Sequence, residues 1–223
     1  MEWADWEPYY IQILEDFGFD RRMDEEAARL LARLLPSPHA DPEELRELVG
    51  NRVVTVLGNG PDLADELGLV KGVVIAADEA TSAALQYGLR PSIIVTDLDG
   101  QVEDQIEANR SGSFVVIHAH GDNIEALRRW TPAFGRRTLG TTQAEPFGEI
   151  HNFGGFTDGD RAVYLADYFG ARVIRTVGFD FERPNPKDRP TAVKLRKLAW
   201  AQRLLEALGR TRPLSDPSSA SSG

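Results

Sequence analysis

The chain contains no cysteine and only four lysines among its 223 residues. The lack of cysteine excludes disulfide bonds and thiolate metal sites, and it fits a reducing cytoplasm. No apolar run is long enough to cross a membrane, and the N-terminus lacks the basic and apolar regions of a signal peptide. We therefore expect a cytoplasmic protein with no membrane partner.

Acidic residues outnumber basic ones by 35 to 25, and the formal net charge is −10 at pH 7. An acidic surface is unsuited to the phosphate backbone of nucleic acids, so we expect no nucleic-acid partner. An anionic ligand would need a local site made from a metal ion, backbone amides or a few arginines. The remaining composition, 42% apolar and 27% charged, is typical of a globular domain.

Hydrophobic spacing divides the chain into three parts. Residues 1–50 have helical periodicity, with a helix start at Asp41-Pro42, and predict an N-terminal helical extension. Residues 51–210 alternate short apolar runs with helical stretches, which predicts a Rossmann-like α/β domain with a mainly parallel sheet and crossover helices. Residues 211–223 are rich in Ser, Gly and Pro, and we expect a disordered tail.

The predicted strands are 53–57, 73–76, 93–95, 114–117 and 173–177, with one or two more within 132–155, and a final helix is predicted over 191–208. Aromatic residues in the first helix suit packing against the core or a second copy of the chain, so a homodimer stays open.

Candidate motifs lie where the predicted strands end. The most informative is Asp97, Leu98, Asp99 and Gly100, directly after the third strand. In an extended backbone, residues two apart point to the same side, so both carboxylates can face one cavity at the carboxyl edge of the sheet. Two such carboxylates suit Mg²⁺, and a pair of solvated turn aspartates is the alternative.

Glycines follow the first strand, in the run Gly58-Asn59-Gly60. A turn of this kind before a helix can bind phosphate through its backbone amides. The run also resembles part of a dinucleotide fingerprint, with Asp78 twenty residues later. Asp78 suits a ribose hydroxyl, a ring amine or a helix cap, and a tight turn without any ligand is the alternative for the glycines.

Histidines end the fourth strand, at His118 and His120, with Asp122 two residues further on. This set suits a transition metal, a phosphate or proton transfer, and the residues alone do not distinguish these roles. Thr142 and Gln143 offer a hydroxyl and an amide to a polar heterocycle.

A second glycine-rich turn precedes the helix predicted near residues 158–169. The backbone amides at Gly154 and Gly155 can cradle a phosphate, and Arg161 can pair with it.

Taken in order, these runs resemble one known family. The runs GNGP, ADEAT, IIVTDLDG, HAHGDN, GTTQ, NFGGFTDGDRA and GFDFE, spread over residues 50–182, are similar to the archaeal 6-hydroxymethyl-7,8-dihydropterin pyrophosphokinases of the MptE type. The catalytic domain of that family is itself similar to thiamin pyrophosphokinase. The resemblance implies Mg²⁺ as cofactor and ATP as co-substrate. It implies transfer of diphosphate to the pterin hydroxymethyl group, release of AMP, and a role in tetrahydromethanopterin or folate synthesis.

The resemblance also implies roles for single residues. Asp97 and Asp99 correspond to the Asp-x-Asp metal motif, and Asp122 to a further acidic residue of the metal site. We therefore predict these three as metal ligands, with His118 and His120 completing the catalytic set. The residues predicted to bind nucleotide or pterin are Gly58, Asn59, Gly60, Asp78, Thr142, Gln143, Gly154, Gly155, Asp158 and Arg161.

Two other classes stay open at this point. A nucleotide-sugar transferase would also use Asp-x-Asp with a divalent cation, and it would turn over sugar nucleotides without a pterin. A non-catalytic dinucleotide-binding module would use Gly58, Gly60 and Asp78 and bind NAD without Mg²⁺, but it leaves Asp97 and Asp99 unexplained.

Overall fold

A parallel β-sheet forms the centre of the computed structural model, which describes residues 1–185 and 191–213. The strands are β1 (Val53–Leu57), β2 (Val73–Ala77), β3 (Ile93–Thr96), β4 (Phe114–Ala119), β5 (Thr138–Thr142), β6 (Ile150–His151), β7 (Val173–Val177) and β8 (Thr211–Pro213). They lie in the order β6-β5-β4-β3-β2-β1-β7-β8, and each neighbouring pair is parallel. The chain order reverses between β1 and β7. In open α/β sheets, ligands bind beside such a reversal.

The strands predicted from apolar runs are confirmed, and three of them extend one or two residues further than expected. The region 132–155 holds β5 and β6. Residues 211–213, which the sequence placed in the tail, form β8 and pair with β7. The rest of the predicted tail, residues 214–223, lies outside the described residues.

Helices connect the strands and cover both faces of the sheet. They are α1 (Trp3–Phe17), α2 (Arg21–Leu34), α3 (Pro42–Val49), α4 (Leu63–Glu66), α5 (Ala80–Gln86), α6 (Val102–Arg110), α7 (Ile124–Trp130), α8 (Asp158–Tyr168) and α9 (Thr191–Leu208). The predicted start of α3 is confirmed. The Asp41 side chain accepts from the Glu43 backbone N–H (2.9 Å), and the Glu44 side chain accepts from the Asp41 backbone N–H (3.2 Å). The parallel sheet, its connecting helices and the three helices before β1 together confirm the predicted Rossmann-like α/β fold with a helical N-terminal region.

Strands β1, β2, β3 and β4 are mostly apolar, as expected for strands with helices packed on both faces of the sheet. On β3, Ile93 and Val95 belong to one hydrophobic core, while Ile94 belongs to the core on the opposite face. The N-terminal helices contribute to both cores, with Tyr10 of α1 in the first and Leu31 of α2 in the second. Within the described residues, no helix combines the length and apolar character needed to span a membrane.

Candidate active site

A cavity of about 790 Å³ lies at the carboxyl edge of the sheet, where the turns after β1, β2, β3, β4, β5 and β7 meet. Helices α2 and α9 contribute side chains to its wall, including those of Met23 and Lys197. A volume of this size is in the range of small-molecule sites. The cavity therefore lies where the topology of the sheet favours ligand binding.

Three carboxylates meet in this cavity. One oxygen from each of Asp78, Asp97 and Asp158 lies within 4.8 Å of the other two. Asp78 follows β2, Asp97 follows β3, and Asp158 is the first residue of α8. We call these residues the three-carboxylate group.

Asp78 is held by two hydrogen bonds to one of its oxygens. The Thr96 hydroxyl donates to Asp78 Oδ1 (2.6 Å), and the Gln105 side-chain amide donates to the same atom (2.9 Å). Burial and the neighbouring charge of Asp97 nevertheless raise the pKa of Asp78 to about 6. The negative charge on Asp78 is therefore unfavourable in the folded protein unless a cation compensates it.

Asp97 is held by His120. The Asp122 backbone N–H donates to His120 Nδ1 (3.3 Å), which assigns the ring proton to Nε2, and Nε2 donates to Asp97 Oδ2 (3.3 Å). Burial favours the neutral acid, but the hydrogen bond from His120 and the positive charges of Arg161 and Lys197 hold the pKa of Asp97 below the usual value. The other oxygen, Oδ1, is buried and has no hydrogen-bond partner among the described residues. Buried polar atoms normally have a partner, so this oxygen suits a bound cation.

Asp158 is fixed by the start of α8. The Asp160 side chain accepts from the backbone N–H groups of Phe156 (2.6 Å) and Thr157 (2.8 Å), which caps the helix. Arg161 Nη1 donates to Asp158 Oδ1 (3.2 Å). Burial and the charge of Asp97 raise the pKa of Asp158 well above its usual value.

This donor set fits a hard divalent cation. Carboxylate oxygens are the ligands that Mg²⁺ prefers, and a positive ion would offset the repulsion that raises the pKa values of Asp78 and Asp158. The residues that can hold a metal ion are therefore Asp78, Asp97 and Asp158. The sequence had placed the first and last of these among the residues that bind nucleotide or pterin.

The structure does not bring Asp99 and Asp122 into the three-carboxylate group, although both line the cavity. The extended geometry expected for Asp97 and Asp99 is wrong, because β3 ends at Thr96 and Leu98 has a left-handed backbone with φ of 68°. The two carboxylates reach the same cavity through a turn. Burial, and then the charge of Asp97, raises the pKa of Asp99.

The glycine turn after β1 lines the cavity at Gly58, Asn59 and Gly60. A Cβ atom at Gly60 would lie 2.6 Å from the carbonyl oxygen of Gly178, so glycine is required where this turn packs against the turn after β7. The Asn59 side-chain amide donates to Glu79 Oε2 (2.7 Å). This close packing is enough to explain why glycine occupies the turn, as expected for a tight turn without any ligand. The turn nevertheless lines the cavity, so a role in ligand binding stays a prediction.

A smaller buried space of about 10 Å³ lies behind the cavity and is lined by His118, Thr142, Gly154 and Arg161. The first three of these do not line the larger cavity. His118 Nδ1 pairs with the hydroxyl of Thr141 (3.2 Å), and burial lowers the pKa of His118 well below its usual value. His118 is therefore a neutral, buried side chain, separated from the cavity that His120 lines.

Gly155 lies beside this smaller space and outside the cavity wall. Its φ is 90°, and a Cβ atom there would lie 2.6 Å from Arg161 Cα. Glycine at this position therefore lets the loop pack closely on α8. Arg161 and Gln143 do line the cavity, as expected.

Sequence reasoning missed Asp24 of α2, which is only 3% exposed. Its carboxylate accepts from the Tyr10 hydroxyl (2.7 Å), the Gly121 backbone N–H (2.8 Å) and the Gln143 side-chain amide (2.9 Å). Gln143 Oε1 in turn accepts from Arg161 Nη2 (3.3 Å). The N-terminal helices are thus linked by hydrogen bonds to the residue that contacts Asp158.

A sequence signal for Asp24 did exist. It precedes Ala27, Ala28 and Leu31 by three, four and seven residues, and all three are buried. An acidic residue at this spacing lies on the apolar face of a helix, where a charge needs partners.

The fold and this site define a Rossmann-like α/β protein with an acidic ligand cavity at the reversal point of its sheet. Residues 31–186 match the family model described as 6-hydroxymethylpterin diphosphokinase MptE-like. The chain belongs to this family, and the resemblance carried by the sequence motifs is confirmed.

Three archaeal relatives support this assignment, and each is named 6-hydroxymethyl-7,8-dihydropterin pyrophosphokinase. The relative from Methanothermobacter thermautotrophicus is 45% identical, over 94% of this chain and 96% of its own length. The relative from Pyrococcus furiosus is 41% identical, over 93% and 94%. The relative from Methanocaldococcus jannaschii is 36% identical, over 93% and 96%. The similarity therefore includes the N-terminal helices as well as the sheet.

Proposed function

We propose that this protein transfers the diphosphate group of ATP to the hydroxymethyl group of 6-hydroxymethyl-7,8-dihydropterin and releases AMP, with Mg²⁺ as the metal. The reaction would serve tetrahydromethanopterin or folate synthesis. Family membership and the names of the relatives support the pterin diphosphokinase activity. The three-carboxylate group, with the unpartnered Oδ1 of Asp97, is the observation that carries the metal-dependent chemistry.

In this reaction, the pterin alcohol oxygen forms a bond to the β-phosphorus of ATP. The bond from that phosphorus to the oxygen bridging the α- and β-phosphates breaks, AMP leaves with the bridging oxygen, and the alcohol loses its proton. Transfers of this kind depend chiefly on positioning and on neutralising charge at the phosphates. Mg²⁺ would supply that neutralisation, held by Asp78, Asp97 and Asp158.

His120 acts on Asp97 in this proposal. Its Nε2–H donates to Asp97 Oδ2, which leaves the unpartnered Oδ1 for a cation. His118 is neutral and lies behind the wall, so we assign it a packing role.

Family membership argues against the sugar transferase and the dinucleotide-binding module. The test is to incubate the purified chain with ATP, Mg²⁺ and the reduced pterin, and to separate nucleotides and pterins by chromatography. We expect AMP and a pterin diphosphate in equal amounts, and no turnover when a chelator removes the metal. ADP formed in step with a pterin monophosphate would contradict the proposal, as would turnover of sugar nucleotides in place of ATP.

A further inference from the structure

Of the three lysines that the structure describes, Lys194 and Lys197 line the cavity, and both belong to α9. Lys194, Lys197, Leu198 and Ala201 all contribute to the wall. Spacings of three, four and seven residues place them on one face of the helix. This face is therefore cationic near the start of α9 and apolar further along.

The cationic part of α9 faces the acidic part of the cavity. The Lys197 ammonium acts electrostatically on both Asp97 and Asp99, and that of Lys194 acts on Asp99. Lys197 Nζ also lies 5.9 Å from the centroid of the buried Phe156 ring, within the range of a cation–π contact that helps to position the ammonium group. The two lysines thus line the same cavity as the carboxylates and lie close enough to act on their charge.

The two arginines on the cavity wall already pair with carboxylates. Arg161 pairs with Asp158 (3.2 Å), and Arg183 pairs with Asp180 (2.6 Å). Lys197 forms no ion pair within 4.0 Å with any carboxylate in the part of the chain that the structure describes. Its charge is therefore available to an anionic ligand.

We propose that Lys197, supported by Lys194, binds the phosphate chain of a nucleoside triphosphate from the α9 wall of the cavity that also holds the three-carboxylate group. The phosphates to be transferred would then lie between α9 and the metal. This inference rests on the proposed function, because it names the subsite that would hold the ATP phosphates. Lysine binds phosphate as a point charge and does not require the fixed geometry of an arginine pair.

The arrangement answers an electrostatic problem of this site. Carboxylates that hold a metal ion also repel the phosphates that must approach that ion. A cation on the wall that is not paired with these carboxylates attracts the phosphate chain without competing for the metal. Lys197 meets this requirement because it reaches the carboxylates through space and is not paired with them.

The test measures binding of magnesium tripolyphosphate and of AMP by calorimetry to the full chain and to Lys197→Met. Methionine keeps an apolar stem over Phe156 and removes the charge. We expect the tripolyphosphate dissociation constant to rise about tenfold to a hundredfold, which is the range for a lost hydrogen bond to a charged group. AMP binding should change less than twofold, and Lys197→Arg should recover most of the tripolyphosphate affinity.

Lys71→Met is the matched control, because it removes the same charge before β2, outside the cavity. Equal tripolyphosphate affinity in Lys197→Met and the wild type would overturn the inference. Failure of the wild type to bind tripolyphosphate would also overturn it, as would an equal loss in Lys71→Met. If Lys197 controls tripolyphosphate binding but the wild type does not convert ATP and pterin, the subsite stands and the proposed function fails.

Discussion

Replacing Asp78 with asparagine should stabilise the metal-free protein at neutral pH and above. The substitution removes one negative charge from the three-carboxylate group. It keeps a side-chain oxygen that can accept from Thr96 and Gln105. Asparagine also tolerates the left-handed backbone of residue 78, where φ is 41°. The change therefore alters charge with little change in shape.

The size of the effect follows from the pKa of Asp78, which burial and the charge of Asp97 raise from 3.8 to about 6. At about 1.4 kcal/mol per pKa unit, ionisation of Asp78 costs the folded state at most ~3 kcal/mol relative to the unfolded chain. Because the amide changes the local hydrogen bonding, we expect a gain of roughly 1–3 kcal/mol in the free energy of unfolding. For a chain of this length, this corresponds to a rise in Tm of roughly 2–10 °C.

The sign of the pH dependence is fixed by the direction of the shift. The folded pKa lies above the unfolded one, so the folded protein holds the proton more tightly. Below pH 3.8 both states are protonated and the charge costs nothing. The cost develops as pH rises to about 6 and is complete above that value. The Tm difference between variant and wild type should therefore be small in acid and largest at neutral pH and above.

The assay is thermal unfolding with a chelator across this pH range, followed by a Mg²⁺ titration at neutral pH. At Mg²⁺ concentrations well above Kd, the free energy of unfolding of the wild type should rise with the logarithm of the ratio of Mg²⁺ concentration to Kd. The same Mg²⁺ concentrations should stabilise the variant less, because it has lost one metal ligand. Glu103→Gln, an exposed change on α6 outside the cavity, is the control and should alter neither result. A variant less stable than the wild type without metal at neutral pH, or equal stabilisation of both by Mg²⁺, would refute this reasoning.

Three further predictions test the site and the tail. Asp97→Asn should remove most turnover at saturating Mg²⁺ and Asp99→Asn should remove less, because only Asp97 belongs to the three-carboxylate group; equal losses would return the metal to the Asp-x-Asp pair. Asp24→Asn should lower the free energy of unfolding in denaturant by about 1–3 kcal/mol and lower kcat, because at least one of the three groups that donate to Asp24 loses its acceptor. The control Tyr10→Phe removes only one of these donors, so it should cost about 1 kcal/mol and leave kcat near the wild-type value. Removal of residues 214–223, a Ser- and Pro-rich segment, should change neither Tm nor turnover, and a clear loss of either would show that the segment contributes to the fold or site.

Local patterns were sufficient to predict most of the sheet and several helices. Strands buried on both faces, such as Ile93–Thr96 and Phe114–Ala119, are short continuous apolar runs, and these are visible in a single sequence. The final helix, Thr191–Leu208, was visible from its apolar spacing. The edge strands Ile150–His151 and Thr211–Pro213 have two and three residues and no such run, so pairing with their neighbours defines them.

The site could be predicted only in part. The rule that parallel strands present their carboxyl ends to one edge placed Asp78 and Asp97 in the same region. It could not give the turn at Leu98, because a left-handed leucine depends on its surroundings, including the hydrogen bond from its N–H to the Thr96 hydroxyl. It also could not place Asp158 beside the other two, since that requires the position of α8 against the sheet.

The hydrogen bonds of Asp24 and Trp6 have a consequence for the order in which the protein assembles. Trp6 Nε1 donates to the carbonyl oxygen of Gln143, a partner 137 residues later, and Asp24 reaches Gly121 and Gln143 across 97 and 119 residues. During synthesis, α1 and α2 leave the ribosome before the sheet does, and 97 to 137 further residues must follow before these partners exist. Helices α1 and α2 therefore cannot form these hydrogen bonds until the residues after β5 have been made. The chain of hydrogen bonds from Asp24 through Gln143 to Arg161, which contacts Asp158, forms only after β5 has joined the sheet.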